Sequence, residues 1–354
     1  MKNIKTEKIF PLTIIILIAF LFTQLLGEII VRIIAPQPLH PSLYQFDNYF
    51  SFSLGSNFSG KSKNLDYDID LFTNDIGLRM DGKWSNNNMD HKILVLGDSY
   101  TFGTGVEFDE TYSTVLLSKL NKLNIVKTND LLNTGIPAWG TSQELLMLQK
   151  ILDTNIPRLV ILQICENDFD NNIQYGLHKV INDSLHFIKP VPTSRDKIRS
   201  YTKYIPFYNY LVQNSHLINL YRRCLILIIK GELSKQLKYS YENDRFSLNK
   251  DDERWVLMEK ILDKVVTITK SRNIVILPIF IPSGGNKIQE MGFNPLAELL
   301  FSFFKENSID FIDFNYLGFD NSLRFSSDGH WKPLAHKIAA DSIYNHIINK
   351  SHLK

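Results

Sequence analysis

Four short polar segments in this sequence carry residue types that together suit nucleophilic catalysis. The first is GDSYTFG at 97–103, and the second is NTG at 133–135. The third is END at 166–168, and the fourth is DGH at 328–330. Each comes after a run of apolar residues that predicts a buried strand. Because ligands of open parallel sheets bind beyond the carboxyl ends of the strands, all four segments can meet in one crevice.

Ser99 is the candidate nucleophile. A serine hydroxyl attacks a carbonyl group only when a neighbouring base takes its proton. His330 can be that base, and Asp328 can hold its ring in the required tautomer and stabilise the charged form. The oxyanion that develops on the substrate needs donors that are already in place. The candidates are the backbone N–H groups of Ser99 and Gly135 and the side-chain amide of Asn167, and a bare glycine backbone allows close approach to a substrate.

Other reactive residue types near these segments have simpler interpretations. His336 falls inside a predicted helix and is expected to be a packed or solvated histidine. Asp98 is expected to be a structural loop carboxylate. Asp168 and Asp170 are expected in a solvated loop, because no histidine or cysteine cluster accompanies them to form a metal site. Cys165 ends an apolar strand without a basic neighbour, which disfavours a thiolate nucleophile. The sequence implies no metal and no organic cofactor.

The elements that would position these residues follow the order of a doubly wound α/β fold. Continuous apolar strands that alternate with helices predict a parallel sheet covered on both faces, which is a three-layer α/β/α sandwich. The predicted strands are Ile93–Leu96, Asp130–Asn133, Leu159–Ile164, Ile274–Phe280 and Asp310–Phe314. The predicted helices are Asp109–Lys122, with Asp109 as its cap, Ser142–Leu152, Trp255–Thr269, Pro295–Lys305 and Pro333–Asn349.

The amino terminus, residues 1–35, is predicted to be a membrane anchor. Lys2, Lys5 and Lys8 precede an uncharged apolar run from Ile9 to Leu26. As a helix that run is about 27 Å long, close to the thickness of a bilayer's hydrocarbon core. No small-x-small cleavage site follows it, so an uncleaved single-pass anchor is favoured over a signal peptide. The lysines predict a cytoplasmic amino terminus and hence an extracytoplasmic catalytic domain.

The rest of the chain divides into three parts. Residues 36–90, which are rich in Pro, Ser and Asn, are predicted to be a stalk and an irregular edge of the domain. Residues 91–354 form the predicted catalytic domain. Within it, 170–254 is an insertion between the third and fourth strands, with no clear strand, many aromatic residues and partly helical character. A lid, a carbohydrate-facing surface and a packed helical appendage remain open interpretations of this insertion.

Composition excludes some classes of function. The chain of 354 residues has 39 basic and 37 acidic residues and a formal net charge of +2. This balance supports no interaction with nucleic acid. Two cysteines, Cys165 and Cys224, form neither a disulfide framework nor a zinc cluster, and either one disulfide or two free thiols is compatible with the sequence.

In combination and in this order, the four polar segments resemble the blocks of the SGNH hydrolases, also called GDSL esterases and lipases. The resemblance covers residues 91–170 and 270–350. It implies a flavodoxin-like three-layer fold with Ser99 as nucleophile and Asp328 and His330 as orienting acid and base. It also implies oxyanion donors at Gly135 and Asn167.

Two positions depart from the family pattern. Glu166 stands where the family has glycine before the asparagine. Asp328 lies two residues before His330 rather than three, and the usual position of the acid is Ser327. The shorter spacing resembles a cell-envelope branch that includes the alginate O-acetyltransferase-like proteins, as does NTGIPAWGTSQEL at 133–145.

The resemblance implies a serine esterase for acyl, in particular acetyl, esters of cell-envelope glycans or lipids. One alternative is an O-acyltransferase to a surface polysaccharide, which would need a separate multi-span acyl-donor protein. The other alternative is a non-catalytic glycan-binding module that keeps the fold.

Overall fold

The structure is a computed structural model that describes residues 4–82, 91–225, 227, 248–282, 294–318 and 320–353. Helix α1 covers Ile4–Ile34, and its part Leu12–Ile34 has a mean hydropathy of 2.5. Among the described residues this is the one helix long and apolar enough to cross a membrane, judged by length and composition alone. The predicted membrane helix is thus present as a helix, whereas its orientation stays a prediction.

Residues 36–90 are not the irregular stalk that the sequence predicts, since the described part contains five strands. Strand β1 (Tyr44–Asp47) pairs antiparallel with β2 (Ser51–Leu54). A second antiparallel sheet has the order β3 (Ser59–Lys63), β4 (Asp68–Thr73) and β5 (Arg79–Met80). Buried residues of β2 and β4 alternate with more exposed ones, and β3 is polar throughout, so no long apolar run marks these strands in the sequence.

This amino-terminal segment packs against the catalytic domain. Phe52, Leu54 and Leu71 are buried in the same hydrophobic cluster as strand residues of the central sheet. The indole nitrogen of Trp139, a fully buried residue, donates a hydrogen bond of 3.1 Å to the carbonyl oxygen of Phe52. Burial of a large apolar side chain contributes about 1.5–3 kcal/mol. The segment is therefore an integral part of the folded domain.

The central sheet confirms the predicted α/β sandwich. Its five strands are parallel and lie in the spatial order β12, β11, β8, β6, β7. In order of appearance along the chain this is 2-1-3-4-5, the flavodoxin-like arrangement. The strands are β6 (Ile93–Leu96), β7 (Leu131–Asn133), β8 (Leu159–Cys165), β11 (Val275–Ile281) and β12 (Ile312–Asp313).

Helices cover both faces of this sheet, because its strand residues alternate between two buried clusters. Leu94 and Leu96 join the cluster on one face, and Ile93 and Val95 join that on the other. On the first face lie α4 (Thr141–Leu152), α5 (Glu166–Tyr175), α8 (Glu253–Ser271) and α9 (Pro295–Glu306). On the second lie α3 (Tyr112–Lys122) and α11 (Pro333–Lys350). Two single-turn helices, α2 (Ser99–Phe102) and α10 (Asn315–Gly318), complete this domain.

Helix α3 begins later than predicted, and Asp109 does not cap it. Residues Phe108–Glu110 form a separate 3-10 turn. The hydroxyl of Thr111 instead accepts the N–H of Thr114 and caps α3. Threonine and aspartate are both good caps, so local sequence alone does not distinguish the two positions.

The insertion 170–254 differs from the prediction in containing strands. Strands β9 (His178–Ile181) and β10 (Ser184–Phe187) form an antiparallel hairpin. Asn182 and Asp183 both have positive φ at its turn, as a two-residue type I′ turn requires. The described helices after it are α6 (Ser194–Tyr201) and α7 (Tyr208–Asn214), followed by helical residues 216–225.

Candidate active site

Ser99 lies at the first position of α2, directly beyond the carboxyl end of β6. Asp98 caps this helix, since its carboxylate accepts the N–H of Tyr100 at 3.0 Å. Any side chain at Gly97 would collide with the side chains of Thr101 and Gln163, so glycine allows the tight turn. Asp98 thus has the structural role predicted for it, and the turn presents the Ser99 hydroxyl at the edge of the sheet.

His330 reaches Ser99 from the far end of the chain. Its Nε2 lies 2.8 Å from Ser99 Oγ, although 231 positions separate the two residues. The His330 side chain is 23% exposed, which leaves the pair accessible to a small substrate. A hydrogen bond of this length is what a serine and its general base require.

Asp328 contacts the other side of the His330 ring despite the unusual spacing. Asp328 Oδ1 lies 3.2 Å from His330 Nδ1 and also accepts the backbone N–H of His330 at 3.1 Å. One oxygen therefore serves two groups, and its contact with Nδ1 lacks the alignment of a hydrogen bond. Gly329, with φ of 77°, turns the chain between them. Ser327, at the usual position of the acid, instead accepts a hydrogen bond from Asn64 Nδ2.

The buried guanidinium of Arg324 fixes this loop. It donates to the carbonyl oxygens of Gly329 at 2.7 Å and Pro282 at 2.6 Å. It also donates to the hydroxyl of Tyr100 at 2.8 Å, and Tyr100 follows the nucleophile directly. Because both halves of the site share this cation, the His330 loop and the Ser99 turn are held in one arrangement.

Tyr67 is a residue of the site that sequence reasoning missed. Its hydroxyl donates a hydrogen bond of 3.2 Å to Asp328 Oδ2 from the amino-terminal strands. Burial raises the pKa of Asp328, but hydrogen bonds from His330 and Tyr67 and the charge of His330 outweigh it, and the net pKa is lowered. Burial and the charge of Asp328 raise the pKa of Tyr67, so the phenol remains a donor. No local sequence signal links positions 67 and 328.

The predicted oxyanion donors differ in availability. Ser99 N–H lies at a helix start, where backbone donors have no partner within the helix. Gly135 N–H donates to the side-chain oxygen of Asn133 at 2.9 Å, so it already has a partner. A side chain at Gly135 would collide with the backbone of Thr101 and Phe102. The close approach that the structure shows at Gly135 is to α2, and its approach to a substrate stays a prediction.

Asn167 lies beside the nucleophile turn, in the first turn of α5. Its Nδ2 donates to Asp98 Oδ2 at 3.3 Å. An amide nitrogen carries two hydrogens, so a second donor remains for an oxyanion. The sequence did not predict a helix in this Asn- and Asp-rich segment. Asp168 explains it, because its carboxylate accepts the N–H of Cys165 at 2.9 Å and caps the helix.

Ala138 has a strained backbone near the same edge. Its φ is 67°, and Trp139 N–H donates to the carbonyl oxygen of Ile136 across the turn. With Pro137 before it, this geometry is that of a type II turn, in which glycine is preferred at the position of Ala138. Ile136 N–H bonds to the carbonyl oxygen of Gly97 at 3.2 Å and joins the turn to the nucleophile segment. Strained backbone is typical of functional sites.

Four carboxyl groups are buried in this region, and two of them, Asp168 and Asp170, correct the prediction of a solvated loop. Asp168 is not in a solvated loop but is fully buried, as are Glu144 and, nearly so, Asp98. Burial, together with the charges of neighbouring carboxylates, raises the pKa of Glu144 and Asp168 well above the usual range. Burial likewise raises the pKa of Asp98. Asp170 is also buried and pairs with Arg254 at 3.5 Å.

The competing candidates are buried in other surroundings. His336 is buried, accepts the N–H of Tyr112 at 3.3 Å and has its pKa lowered to about 3 by burial. Of the two roles predicted for it, packed or solvated, the structure shows the packed one. Burial, with Asp98 and Asp168 nearby, raises the pKa of the Cys165 thiol. Cys165 and the exposed Cys224 are free thiols, which settles the open question of a disulfide.

One group among the described side chains has the composition of a metal site. The ligand atoms of Asp310, His346 and His352 lie within 4.8 Å of one another. Lys350 Nζ lies 3.3 Å from Asp310 Oδ2, so this carboxylate already faces a cation. Asp310 precedes β12 and is therefore at the amino end of the parallel sheet, opposite to Ser99. This group lies apart from the candidate active site.

A cleft of about 800 Å³ lies elsewhere, between residues 42–59 and 196–213. Aromatic side chains, including Tyr44, Phe58 and Tyr208, line it, but neither Ser99 nor His330 does. The cleft offers no reacting group to the chemistry above.

Comparisons with known proteins find matches among solved structures alone. No protein-family model matches the chain, nor does any curated protein sequence compared with it. Solved structures match it across about three quarters of its length. They include the psychrotrophic esterase EstA from Pseudoalteromonas sp., with 14% identity, a TM-score of 0.40, and coverage of 73% of this chain and 98% of that one.

Two others are a family 3 carbohydrate esterase from Clostridium thermocellum and AlinE4, an SGNH-hydrolase family esterase. The first has 15% identity, a TM-score of 0.41, and coverage of 73% of this chain and 96% of that one. The second has 14% identity, a TM-score of 0.35, and coverage of 74% and 95%. The fold assignment rests on the strand order of the central sheet, which is that of a flavodoxin-like α/β sandwich.

Proposed function

We propose that the protein is a serine esterase that cleaves acyl esters through an acyl-enzyme intermediate. The observation that carries this proposal is the 2.8 Å approach of His330 Nε2 to Ser99 Oγ. Asp328, on the opposite side of the ring, supplies the third member of a Ser-His-Asp triad.

The reaction proceeds in two steps. Ser99 Oγ attacks the ester carbonyl while His330 Nε2 takes the hydroxyl proton, and Asp328 stabilises the resulting imidazolium. The alcohol leaves with the proton from Nε2, and the acyl group stays on Ser99. A water molecule then gives its proton to Nε2 and attacks the acyl carbonyl, and Ser99 leaves with that proton as the acid is released.

Oxyanion stabilisation comes from Ser99 N–H and the side-chain amide of Asn167. Gly135 is the third candidate donor, and its N–H would exchange the bond to Asn133 Oδ1 for one to the oxyanion. Donors fixed before the charge develops need no reorganisation in the transition state, and removal of one typically costs about 3–4 kcal/mol of barrier.

The proposed location follows from α1. We infer that it spans a membrane once, with the amino terminus cytoplasmic and the catalytic domain outside, on the lysine-flanked apolar run. Acyl esters of cell-envelope glycans or lipids, in particular acetyl esters, are then the substrates within reach. Protease added to spheroplasts should degrade the domain, and its full protection would contradict this orientation.

Transfer to a sugar hydroxyl would use the same intermediate, with the sugar in place of water in the second step. A non-catalytic glycan-binding role would need no contact between Ser99 and His330. The test therefore begins with turnover. Full-length protein in detergent is assayed with p-nitrophenyl acetate beside Ser99→Ala, and both are treated with a fluorophosphonate probe.

We expect turnover and covalent labelling in the wild type and neither in Ser99→Ala. A wild type that is folded, as judged by circular dichroism, yet neither turns over nor reacts would contradict the proposal. An added oligosaccharide acceptor, followed by mass spectrometry, tells hydrolysis from transfer, because only a transferase moves the acyl mass to the sugar.

A further inference from the structure

Helix α1 is packed against the insertion along one stripe. Gln24, Gly27, Glu28 and Val31 are the partly or fully buried positions in its carboxyl-terminal half, whereas residues 12–23 are exposed. Their spacing is that of one helix face. A side chain at Gly27 would press on Leu217, so glycine permits close packing here.

Glu28 fixes the start of a second helix. Its carboxylate accepts hydrogen bonds from Ser215 Oγ at 2.7 Å, His216 N at 3.0 Å and Leu217 N at 2.8 Å. Backbone N–H groups at a helix start have no partner within the helix, and a carboxylate is a favourable partner for them. The helical residues 216–225 therefore begin at a defined point on α1.

The two helices run antiparallel. Arg32 Nη2 donates to the carbonyl oxygen of Asn214 at 2.9 Å, and Tyr221 OH donates to Gln24 Oε1 at 3.3 Å. As residue numbers rise in the second helix, they fall in the facing part of α1. The second helix consequently points toward the apolar amino-terminal half of α1.

Beyond Tyr221 the second helix leaves the domain. Leu225 is 56% exposed and Leu227 is 59% exposed, while Leu21 and Phe20 of α1 are equally exposed. Leu227 lies about 9 Å past Tyr221 along a helix axis. The uncharged part of α1 begins at the residue before Glu28 and continues toward the amino terminus. Leu227 therefore lies beside residues of α1 that a membrane would surround.

We propose that the described end of this helix, at Cys224, Leu225 and Leu227, enters the bilayer beside α1, in the leaflet next to the catalytic domain. The inference rests on α1 being the membrane span. Tyr221 then lies at the interface, a position where tyrosine is enriched. Arg222 turns back, away from the lipid: Nη1 donates to Asn219 Oδ1 at 2.8 Å, and its guanidinium lies 5.8 Å from the Tyr208 ring centre.

Lipid is the occupant that fits, because Leu225 and Leu227 are exposed apolar side chains on a helix that packs beside the exposed apolar part of α1. Charged side chains on the described part of this stretch are confined to its start, at Arg222 and Arg223. The hydrocarbon region accepts apolar helices, while long basic side chains extend to the interface.

Cys224 is a native probe of this proposal, since it is exposed and Cys165 is buried. Full-length protein in lipid nanodiscs is labelled at Cys224 with an environment-sensitive fluorophore, and Leu227→Cys in a Cys224→Ser background is labelled likewise. We expect brominated lipids to quench both labels and aqueous iodide to quench neither. The label at 227 should be quenched best by lipids brominated deeper along the acyl chain than those that quench the label at 224 best.

The matched control is Ser302→Cys with Cys224→Ser, because residue 302 is exposed on α9. This label should be quenched by iodide and not by brominated lipid. Iodide quenching at 224 equal to that at 302 would overturn the proposal, and protection from both quenchers would overturn it in favour of a protein partner or a second copy. Carbonate extraction tests α1 itself, and ester hydrolysis is measured separately.

Discussion

The hydroxyl of Tyr67 donates a hydrogen bond to Oδ2 of Asp328 across 261 positions of sequence, and the distance is 3.2 Å. Oδ1 of the same carboxylate faces His330, so each oxygen has its own partner. The adjoining turn holds the loop as well, because Asp66 accepts the N–H of Ser327 at 2.7 Å. The amino-terminal strands thus position the proposed acid of the triad.

Tyr67→Phe removes one donor to an ionised carboxylate and keeps the ring. Hydrogen bonds to charged groups contribute about 1.5–3 kcal/mol, so we expect kcat/KM to fall roughly 10- to 100-fold. The lost bond lowered the pKa of Asp328. That pKa therefore rises in the variant, and the acid limb of the pH–rate profile moves to higher pH.

The control for this variant is Tyr316→Phe, which removes a phenol that bonds to Ser342 outside the site. Its pH–rate profile should match the wild type. An unchanged acid limb in Tyr67→Phe would show that the phenol does not support the acid.

Asp328→Asn tests which residue orients His330. Loss of the charge and a wrong tautomer should lower kcat by about 10³- to 10⁴-fold. Ser327→Ala is the paired variant, since Ser327 occupies the usual position of the acid but bonds to Asn64 instead. We expect kcat within about threefold of the wild type for Ser327→Ala. The opposite result, a large loss in Ser327→Ala and a small one in Asp328→Asn, would show that Ser327 and not Asp328 orients His330.

Asn167→Ala tests the oxyanion donor. A donor that acts on the developing charge contributes to kcat rather than to substrate binding, so kcat should fall about 10²- to 10³-fold with little change in KM. The melting temperature is measured in parallel, because Asn167 also bonds to Asp98. Wild-type kcat would remove Asn167 from the mechanism, and a large loss of stability with normal kcat would leave it a structural residue.

Glu144→Gln tests the buried carboxyl cluster. Neither carboxylate oxygen of Glu144 has a hydrogen-bond partner among the described residues. Burial, with Asp168 and Asp98 nearby, raises its pKa in the folded state. The folded protein therefore holds a proton that the unfolded chain releases, and stability falls as pH rises from the unfolded pKa of about 4.5 towards the folded value.

We expect Glu144→Gln to flatten this decline and to stabilise the protein by roughly 1–3 kcal/mol at pH 8, with a smaller gain at pH 5. Denaturant unfolding at the two pH values measures both gains. Glu298→Gln, at an exposed position of α9, should show neither. A larger gain at pH 5 than at pH 8 would contradict the buried, protonated state.

The sheet and the positions of the candidate triad could be predicted because their signals are local. Ile93–Leu96 is a continuous apolar strand, and the GDS segment that follows it becomes specific in combination with the three later polar segments in the same order. The meeting of Ser99 and His330 follows once both are placed at carboxyl ends of one parallel sheet.

What could not be predicted depends on distant contacts. The pattern of β3 is polar throughout, and only pairing with β4 makes it a strand. Helix α5 forms in a segment of low helix propensity because Asp168 caps it from a buried position. A glycine at position 135 indicates that another group approaches the backbone closely, and we expected that group to be a substrate. In the structure α2 approaches Gly135, and the sequence does not reveal this neighbour.

Arg79 has one more consequence. Its buried guanidinium donates to the carbonyl oxygens of Phe102, Gly103 and Val106, which follow the nucleophile turn. A fragment that contains the central sheet but lacks β5, the strand of Arg79, would bury these three carbonyl oxygens without the donor that bonds to them. The smallest part of the chain that can keep the nucleophile turn in place is accordingly larger than the doubly wound sheet. A truncation at residue 91 would remove buried residues of the domain.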